Sequence, residues 1–232
     1  MKNKKKRKER AIKKMKRVSK RIVETDIKKE LIPESEIKEL LSPRRAIDLK
    51  IMQSLEGLPK THFTTLLLVE PTSYSKINIE LIRIFCKEHV QGIYVTLNRS
   101  FLFLNELFQS EGINIDNMKF IDAITKVTGR KEVKAENLVY VESPNNLVEL
   151  SVEIDEAIKS VKEKPAFLIF DSISTLLIYN EIGSCEKFIH LVIGKLQESK
   201  LKGIFLMVKS DEMKGIINTL SQFCDKTIEI SF

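Results

Sequence analysis

The sequence predicts an α/β fold in which a mostly parallel sheet carries helices on both faces. From Gly57 onward, short apolar segments alternate with segments in which apolar residues recur at the helical period. The short segments are apolar along their whole length, which is typical of strands buried on both faces. The chain has 232 residues, 43% of them hydrophobic, and this is enough to bury one sizeable core. We therefore expect one α/β domain with an appendage.

The first element of the chain is a basic arm. Residues 1–22 hold 13 Lys and Arg and one Glu, so their charge is +12, and the rest of a chain of net charge +7 must carry −5. Ala11, Met15, Val18 and Ile22 follow a helical spacing and place a thin apolar stripe on a cationic helix. This pattern is typical of an arm that binds nucleic acid, a ribosome or an anionic membrane surface, and it is equally typical of a solvated tail that keeps a protein soluble. The candidate binding residues are Lys4, Lys5, Lys6, Arg7, Lys8, Arg10, Lys13, Lys14 and Arg17.

A connecting helical segment follows the arm. Pro33 and Pro43 bracket the sequence ESEIKELL, which predicts one or two helical turns. A second helix is predicted over 44–55, and Gly57 marks its end. The expected organisation is therefore a basic arm at 1–32, a connecting segment at 33–56 and an α/β domain at 57–232.

The α/β domain is predicted to contain seven strands. They are Thr64–Val69, Gly92–Leu97, Met118–Ala123, Asn137–Glu142, Ala166–Asp171, Gly203–Val208 and Thr227–Ser231. Helical periods lie between them, most clearly at Leu147, Leu150, Ile154, Ala157, Ile158 and Val161, and at Met213, Ile216, Ile217, Leu220 and Phe223.

The stretch 65–80, TLLLVEPTSYSKINIE, is the centre of the prediction. A buried strand leads through a polar loop, Glu70–Lys76, into a helix with apolar residues at Ile77, Leu81, Ile82, Phe85 and Cys86. A strand that ends in a loop at a helix N-terminus is the geometry of the P-loop. The P-loop pattern is G-x-x-x-x-G-K-[ST], and the eight places here read EPTSYSKI, so only the lysine is retained.

Three stretches together resemble the KaiC-like branch of the RecA-superfamily ATPases. The first is residues 57–72, which resembles that family's GIPxGS-type turn, first strand and GPTGSGKT-type loop. The second is residues 167–177, FLIFDSISTLL, which looks like the family's Walker B strand with its DS[IL][ST] continuation. The third is residues 223–230, FCDKTIEI, which is similar to the family's terminal strand hairpin. The resemblance implies a RecA-like P-loop fold for 57–232 and leaves 1–56 outside it.

The resemblance also implies an ATP site, and its residues here are altered. Glu70, Ser73 and Ser75 stand where the family has glycine, although a phosphate-binding loop needs glycine for positive φ and close approach. Ile77 replaces the Ser or Thr that holds Mg²⁺. The family's V-T-F-E-E catalytic glutamates correspond to Asn98 and Arg99, and neither side chain accepts a proton near neutral pH.

Several residues of this stretch still have groups that suit a nucleotide. The candidate nucleotide-binding residues are Thr72, Ser73, Tyr74, Ser75, Lys76 and Asp171. Two of them have a structural alternative: Lys76 is more typical of a surface lysine near a helix start, and Asp171 is also typical of a helix N-cap before Ser172, a role that can coexist with the first. We expect no catalytic residue, no metal site and no cofactor; if ATP and Mg²⁺ bind, we do not expect hydrolysis.

The combined losses favour a catalytically degenerate ATPase domain, a pseudo-ATPase that acts as an interaction, assembly or regulatory module. The alternative is an active or nucleotide-sensing KaiC- or RecA-like ATPase in signalling or in DNA recombination and repair, supported by Lys76 and Asp171. The resemblance implies protein partners or a homo-oligomer. Three scattered cysteines and an N-terminus without an apolar signal region predict a cytoplasmic protein, and no apolar run is long enough to span a membrane.

Overall fold

A computed structural model describes residues 43–86, 90–161 and 165–231 of the chain. The basic arm and the ESEIKELL segment lie outside the described residues. The compact unit presented below spans Ile47–Phe232. Among the residues that the structure describes, no helix is both long and apolar enough to cross a membrane.

Strands and helices alternate along the chain. The strands are β1 (Phe63–Val69), β2 (Gln91–Thr96), β3 (Met118–Asp122), β4 (Leu138–Tyr140), β5 (Ala166–Asp171), β6 (Lys202–Val208) and β7 (Lys226–Ile230). The helices are α1 (Pro43–Leu55), α2 (Tyr74–Cys86), α3 (Phe101–Ser110), α4 (Leu147–Val161), α5 (Ile173–Tyr179), α6 (Ile182–Glu198) and α7 (Lys214–Ser221), with a 3₁₀ turn at Asp211–Met213 before α7.

The seven strands form one sheet in the order β4-β3-β2-β5-β6-β1-β7. Every pairing is parallel. Strands β1 and β5 are buried at every position, as expected for strands covered on both faces. The predicted α/β fold with a parallel sheet is therefore confirmed, and each of the seven predicted strands is present with ends shifted by no more than two residues.

The apolar core has one layer on each face of the sheet. On one face, Ile77, Leu81 and Ile82 of α2 pack with residues of α1 and α3. On the other face, α4, α5, α6 and α7 pack over alternate strand residues such as Leu66 and Leu68. Because successive side chains of a strand point to opposite faces, Leu67 of the same strand belongs to the first layer.

The structure corrects two predictions about element boundaries. Helix α2 begins at Tyr74, so the loop before it is shorter than Glu70–Lys76. The expected terminal hairpin is wrong, because β7 follows α7 and pairs in parallel with β1. The reason is the crossover through α7, which returns the chain to the edge of the sheet where β1 begins. There, Asp225 Oδ2 accepts hydrogen bonds from Thr64 N at 2.7 Å and Thr64 Oγ1 at 3.0 Å, which hold the start of β7 beside the start of β1.

Candidate functional site

The candidate site lies at the carboxyl ends of β2 and β5, which are neighbours in the sheet. The chain leaves β2 towards α3 on one face and leaves β5 towards α5 on the other face. Connections that depart to opposite faces open a crevice between the two strand ends, and this is where open α/β sheets bind ligands. Asp171, the last residue of β5, lies in this crevice.

The carboxylate of Asp171 is fully buried and accepts hydrogen bonds on both oxygens. The hydroxyl of Tyr74 donates to Oδ1, and Asn98 Nδ2 lies 3.3 Å from the same oxygen. The hydroxyl of Tyr94 donates to Oδ2 at 2.5 Å, and Asn78 Nδ2 donates to Oδ2 at 2.8 Å. Four neutral donors, two from α2, one from β2 and one from the loop after β2, thus surround one carboxylate, and we call these five residues the Asp171 network.

Further hydrogen bonds orient the members of the network. Tyr94 Oη also lies 2.8 Å from Asn78 Nδ2, and Tyr74 Oη lies 3.2 Å from Asn98 Nδ2. Thr175 Oγ1 donates to Asn98 Oδ1 at 2.7 Å, which fixes the orientation of the Asn98 amide. Because the donors are held by other groups, the network is preorganised around the carboxylate.

Both tyrosines stay protonated and act as donors. Burial, and then the nearby charge of Asp171, raise the pKa of Tyr74 well above that of a free phenol. The same two causes, again with burial the larger, raise the pKa of Tyr94. Neither phenol can therefore serve as a base at neutral pH.

The turn between β1 and α2 is tight and closed by its own hydrogen bonds. Ser73 N donates to Glu70 O at 3.0 Å, and Ile77 N donates to Ser73 O at 3.0 Å as the first helical bond. Within residues 70–77, all of which the structure describes, no residue has a positive φ. Ile77 is fully buried in the core beneath the turn.

The predicted nucleotide-binding residues do not all meet in this site. Tyr74 and Asp171 are in direct contact, whereas Thr72 and Lys76 are exposed and lie outside the Asp171 network. Ser73 is buried, with its amide committed to the turn. Asp171 is not the helix N-cap that the sequence allowed. Ser172 caps α5 instead, and its Oγ accepts a hydrogen bond from Thr175 N at 3.3 Å.

The two positions aligned with catalytic glutamates have separate surroundings. Asn98 belongs to the Asp171 network. Arg99 donates from Nη1 to Ser75 Oγ at 3.3 Å, and its guanidinium lies 5.0 Å from the centre of the Phe103 ring. A guanidinium over an aromatic face is stabilised by the ring quadrupole, so Arg99 bridges the start of α2 and the first turn of α3.

Sequence reasoning missed two members of the network, Asn78 and Tyr94. Both left a signal. Asn78 is four residues after Tyr74 and therefore lies on the same side of α2. Tyr94 carries the only hydroxyl within the apolar run Gly92–Val95, and a buried tyrosine hydroxyl normally has a hydrogen-bond partner. In the described ranges, no group of three or more His, Cys, Asp or Glu residues is placed to hold a metal ion.

Comparisons with known proteins agree with this fold. A family model described as "Family of unknown function (DUF7504)" matches residues 86–230. The uncharacterized protein PH0321 from Pyrococcus horikoshii, crystallised in complex with an unknown peptide, is similar with a TM-score of 0.60 and 11% identity, over 80% of this chain and 82% of that chain. The KaiC-like protein PH0186 from Pyrococcus horikoshii OT3 is similar with a TM-score of 0.51 and 16% identity, over 73% of this chain and 72% of that chain. No curated protein matches. The chain thus has the RecA/KaiC-like α/β fold, and at these identities the likeness extends to the fold alone.

Proposed function

The chain belongs to DUF7504, a family of unknown function, and we propose that its RecA/KaiC-like domain is a pseudo-ATPase that acts as an interaction, assembly or regulatory module. The observation that carries this proposal is the Asp171 network. In the family that the sequence resembles, the equivalent carboxylate supports a Mg²⁺ ion. Here its two oxygens already accept hydrogen bonds from Tyr74, Tyr94, Asn78 and Asn98. A cation would have to displace these donors, of which Tyr94 and Asn78 are buried and have no other described acceptor of equal charge.

The turn between β1 and α2 supports the same proposal. A phosphate-binding loop presents several backbone N–H groups to one anion, and glycines allow the positive φ angles that this requires. In this chain Ser73 N is bonded to Glu70 O, and residues 70–77 keep negative φ throughout. Forcing a non-glycine residue into the left-handed region costs about 1–2 kcal/mol. Rebuilding the turn around a triphosphate therefore carries that cost at more than one position.

The replacement of the family's catalytic glutamates at the end of β2 is a third argument. Activating an attacking water requires a group that takes its proton. Asn98 cannot do so and is already bonded to Thr175 and Asp171, and Arg99 is a permanent cation bonded to Ser75. We infer that the fold persists as a rigid scaffold whose surfaces contact protein partners, while the basic arm contacts nucleic acid or an anionic surface.

The test is ATP turnover and binding by the full chain. We expect no Mg²⁺-dependent hydrolysis above the buffer rate, and no change in a Lys76→Ala variant. Isothermal titration with ATP and ADP, with and without Mg²⁺, measures binding separately. Turnover that requires Mg²⁺ and disappears in Lys76→Ala would refute the pseudo-ATPase.

Two control variants make a negative result informative. Tyr74→Ala removes one donor from Asp171 and clears space above it, so it tests whether the tyrosine is what keeps nucleotide out. Tyr179→Phe changes a tyrosine outside the network and controls for the general effect of substitution. Nucleotide binding by the unmodified chain without turnover would favour the nucleotide-sensing alternative over a module that ignores nucleotide.

A further inference from the structure

Two arginines lie at the carboxyl edge of the sheet, in the loops that follow β2 and β3. Arg99 Nη1 lies 3.3 Å from Ser75 Oγ, and Arg130 Nη1 lies 3.5 Å from Ser100 Oγ. Neither guanidinium is within ion-pair distance of a carboxylate in the part of the chain that the structure describes. We call these four residues the Arg99–Arg130 cluster.

Most of the hydrogen-bonding capacity of these two side chains is left for a ligand. A guanidinium has about five N–H donors, and in each arginine a single one of them reaches a described residue, which is a neutral hydroxyl. Both contacts are longer than the usual N–H···O distance of about 2.7–3.2 Å. Arg83 shows the contrast, because it is buried and donates at 2.8 Å to both the carbonyl and the carboxylate of Glu111.

The fold brings both cations to the start of the same helix. Strands β2 and β3 are neighbours in the sheet, so the loops that follow them emerge side by side. Thr96 Oγ1 donates to Arg99 O at 2.6 Å and holds the Arg99 backbone, and the Arg99 guanidinium lies 5.0 Å from the centre of the Phe103 ring. Ser100, which contacts Arg130, caps α3 by accepting a hydrogen bond from Phe103 N at 3.4 Å. The two guanidinium groups therefore flank the first turn of α3.

The buried carboxylate at the end of β3 pairs with neither arginine. Asp122 has no exposed surface, and its oxygens accept hydrogen bonds from Phe101 N at 2.7 Å, Thr125 N at 2.8 Å and Thr125 Oγ1 at 2.6 Å. These neutral donors satisfy the carboxylate without a cation. The charges of Arg99 and Arg130 are thus free to meet an anion from outside the described chain.

The surroundings of the cluster fit a partner protein better than a small metabolite or a nucleic acid. Leu102 is 40% exposed and Phe103 43%, so an apolar surface adjoins the two cations. Arg130 is exposed as well, whereas small molecules bind mostly in concave pockets. Outside residues 1–22 the chain has a net charge of −5, which repels a long polyanion. These features favour a single phosphate group carried by a peptide.

We propose that Arg99 and Arg130 bind the phosphate monoester of a phosphorylated serine or threonine in a partner protein, and that Leu102 and Phe103 contact apolar residues beside it. A guanidinium presents parallel N–H groups that match two oxygens of a phosphate. A phosphate monoester carries a charge of about −1.5 to −2 at pH 7, so two cations balance it. This site rests on the proposed role as an interaction module and specifies the chemistry of the partner.

Fluorescence polarisation of the full chain with two short degenerate peptide libraries tests the site. The libraries are identical except that one carries phosphoserine and the other serine at the central position. We expect the phosphoserine library to bind at least about tenfold more tightly, because its contacts to the guanidinium groups are charge-assisted. Arg99→Gln and Arg130→Gln should each reduce this preference at least about threefold, and circular dichroism confirms that both variants fold.

Lys187→Gln is the matched control. It removes the same charge from an exposed residue of α6, on the other face of the sheet, and it leaves the preference unchanged. A preference for phosphoserine that survives in both arginine variants would come from the basic arm, which every variant retains, and it would overturn the proposal. Equal binding of the two libraries would also overturn it.

Inorganic phosphate is the competitor that separates a partner from a free ion. We expect it to displace the phosphoserine library only at concentrations at least about tenfold above the dissociation constant of the peptides, since it makes no contact with Leu102 or Phe103. Displacement at the dissociation constant itself would overturn the assignment to a partner protein. ATP turnover on the same samples keeps the outcomes separate, because an active enzyme contradicts the pseudo-ATPase and leaves the phosphoserine preference unchanged.

Discussion

Removing the Tyr94 hydroxyl tests whether the Asp171 network stabilises the fold. Tyr94 has no exposed surface, and its hydroxyl lies 2.5 Å from Asp171 Oδ2 and 2.8 Å from Asn78 Nδ2. A hydrogen bond to a charged group contributes about 1.5–3 kcal/mol and one between neutral groups about 0.5–1.5 kcal/mol. Its ring packs against Phe108 and Phe120, and phenylalanine keeps those contacts. We therefore expect Tyr94→Phe to lower the free energy of unfolding by about 2–4 kcal/mol.

Urea unfolding followed by circular dichroism measures this change. With a denaturant slope of about 2 kcal/mol per molar, the midpoint falls by about 1–2 M urea. Tyr179→Phe is the matched control, because Tyr179 is half-buried and its hydroxyl has no hydrogen-bond partner among the described residues. We expect that variant to stay within about 0.5 kcal/mol of the unmodified chain.

The reasoning fails if Tyr94→Phe is as stable as Tyr179→Phe. A carboxylate that lost one of its donors without cost would not be held by a closed network, and it would remain available to a metal ion. Combining Tyr94→Phe with Tyr74→Phe extends the test. Because both hydroxyls donate to Asp171, we expect their effects to be non-additive, with a coupling of about 0.5–3 kcal/mol.

Three further predictions follow from the charges and the packing. Of the four tyrosines, Tyr74 and Tyr94 should not ionise in the folded chain, so alkaline titration followed at 295 nm should show two phenols that titrate only on unfolding. Because folding raises their pKa, the stability that they contribute is present below about pH 10, the pKa of a free phenol, and is lost as the pH rises above it. Gly92→Ala should lower the free energy of unfolding by about 1–3 kcal/mol, because the added Cβ would lie 2.7 Å from the Phe167 ring. Gly215→Ala in α7 is the control, since its added Cβ would meet open space, and we expect it to be neutral or stabilising. Thermal unfolding measures both changes. Deleting residues 1–22 should abolish RNA and DNA binding in a low-salt gel-shift assay, and binding by the full chain should weaken steeply with salt because Lys and Arg contacts to phosphate release counterions; unchanged binding after the deletion would contradict this role of the arm.

Much of the fold could be predicted because the signals are local. A strand such as β5 is apolar at every position up to Asp171, and the helical period of α4 is visible within fifteen residues. Where two local patterns overlap, as the P-loop pattern and the helical period do at the start of α2, the observed boundary differs from the predicted one. The P-loop pattern extends to Lys76 and therefore predicts a loop at Tyr74, yet the chain forms a short turn and α2 begins three residues earlier than predicted.

The candidate site could be predicted only in part, because its members are distant in sequence. The motif positions of Asp171 and Tyr74 mark both as candidate site residues, and 97 residues separate them along the chain. Asn78 and Tyr94 have no motif, and each alone is consistent with an ordinary helix or strand residue. Their role depends on which strands are neighbours. The order β2-β5-β6-β1 brings the ends of β2 and β5 together, and Tyr74 reaches Asp171 across β6.

The sequence alone predicts the alternation of strands and helices and places Asp171 at the end of a buried strand, and the loss of the ATP-site residues stays a prediction from the resemblance. What the carboxylate contacts is visible in the tertiary structure and not in the sequence. Apolar periodicity is a property of neighbouring residues and can be read locally, whereas the partners of Asp171 come from separate segments that strand order brings within hydrogen-bonding distance.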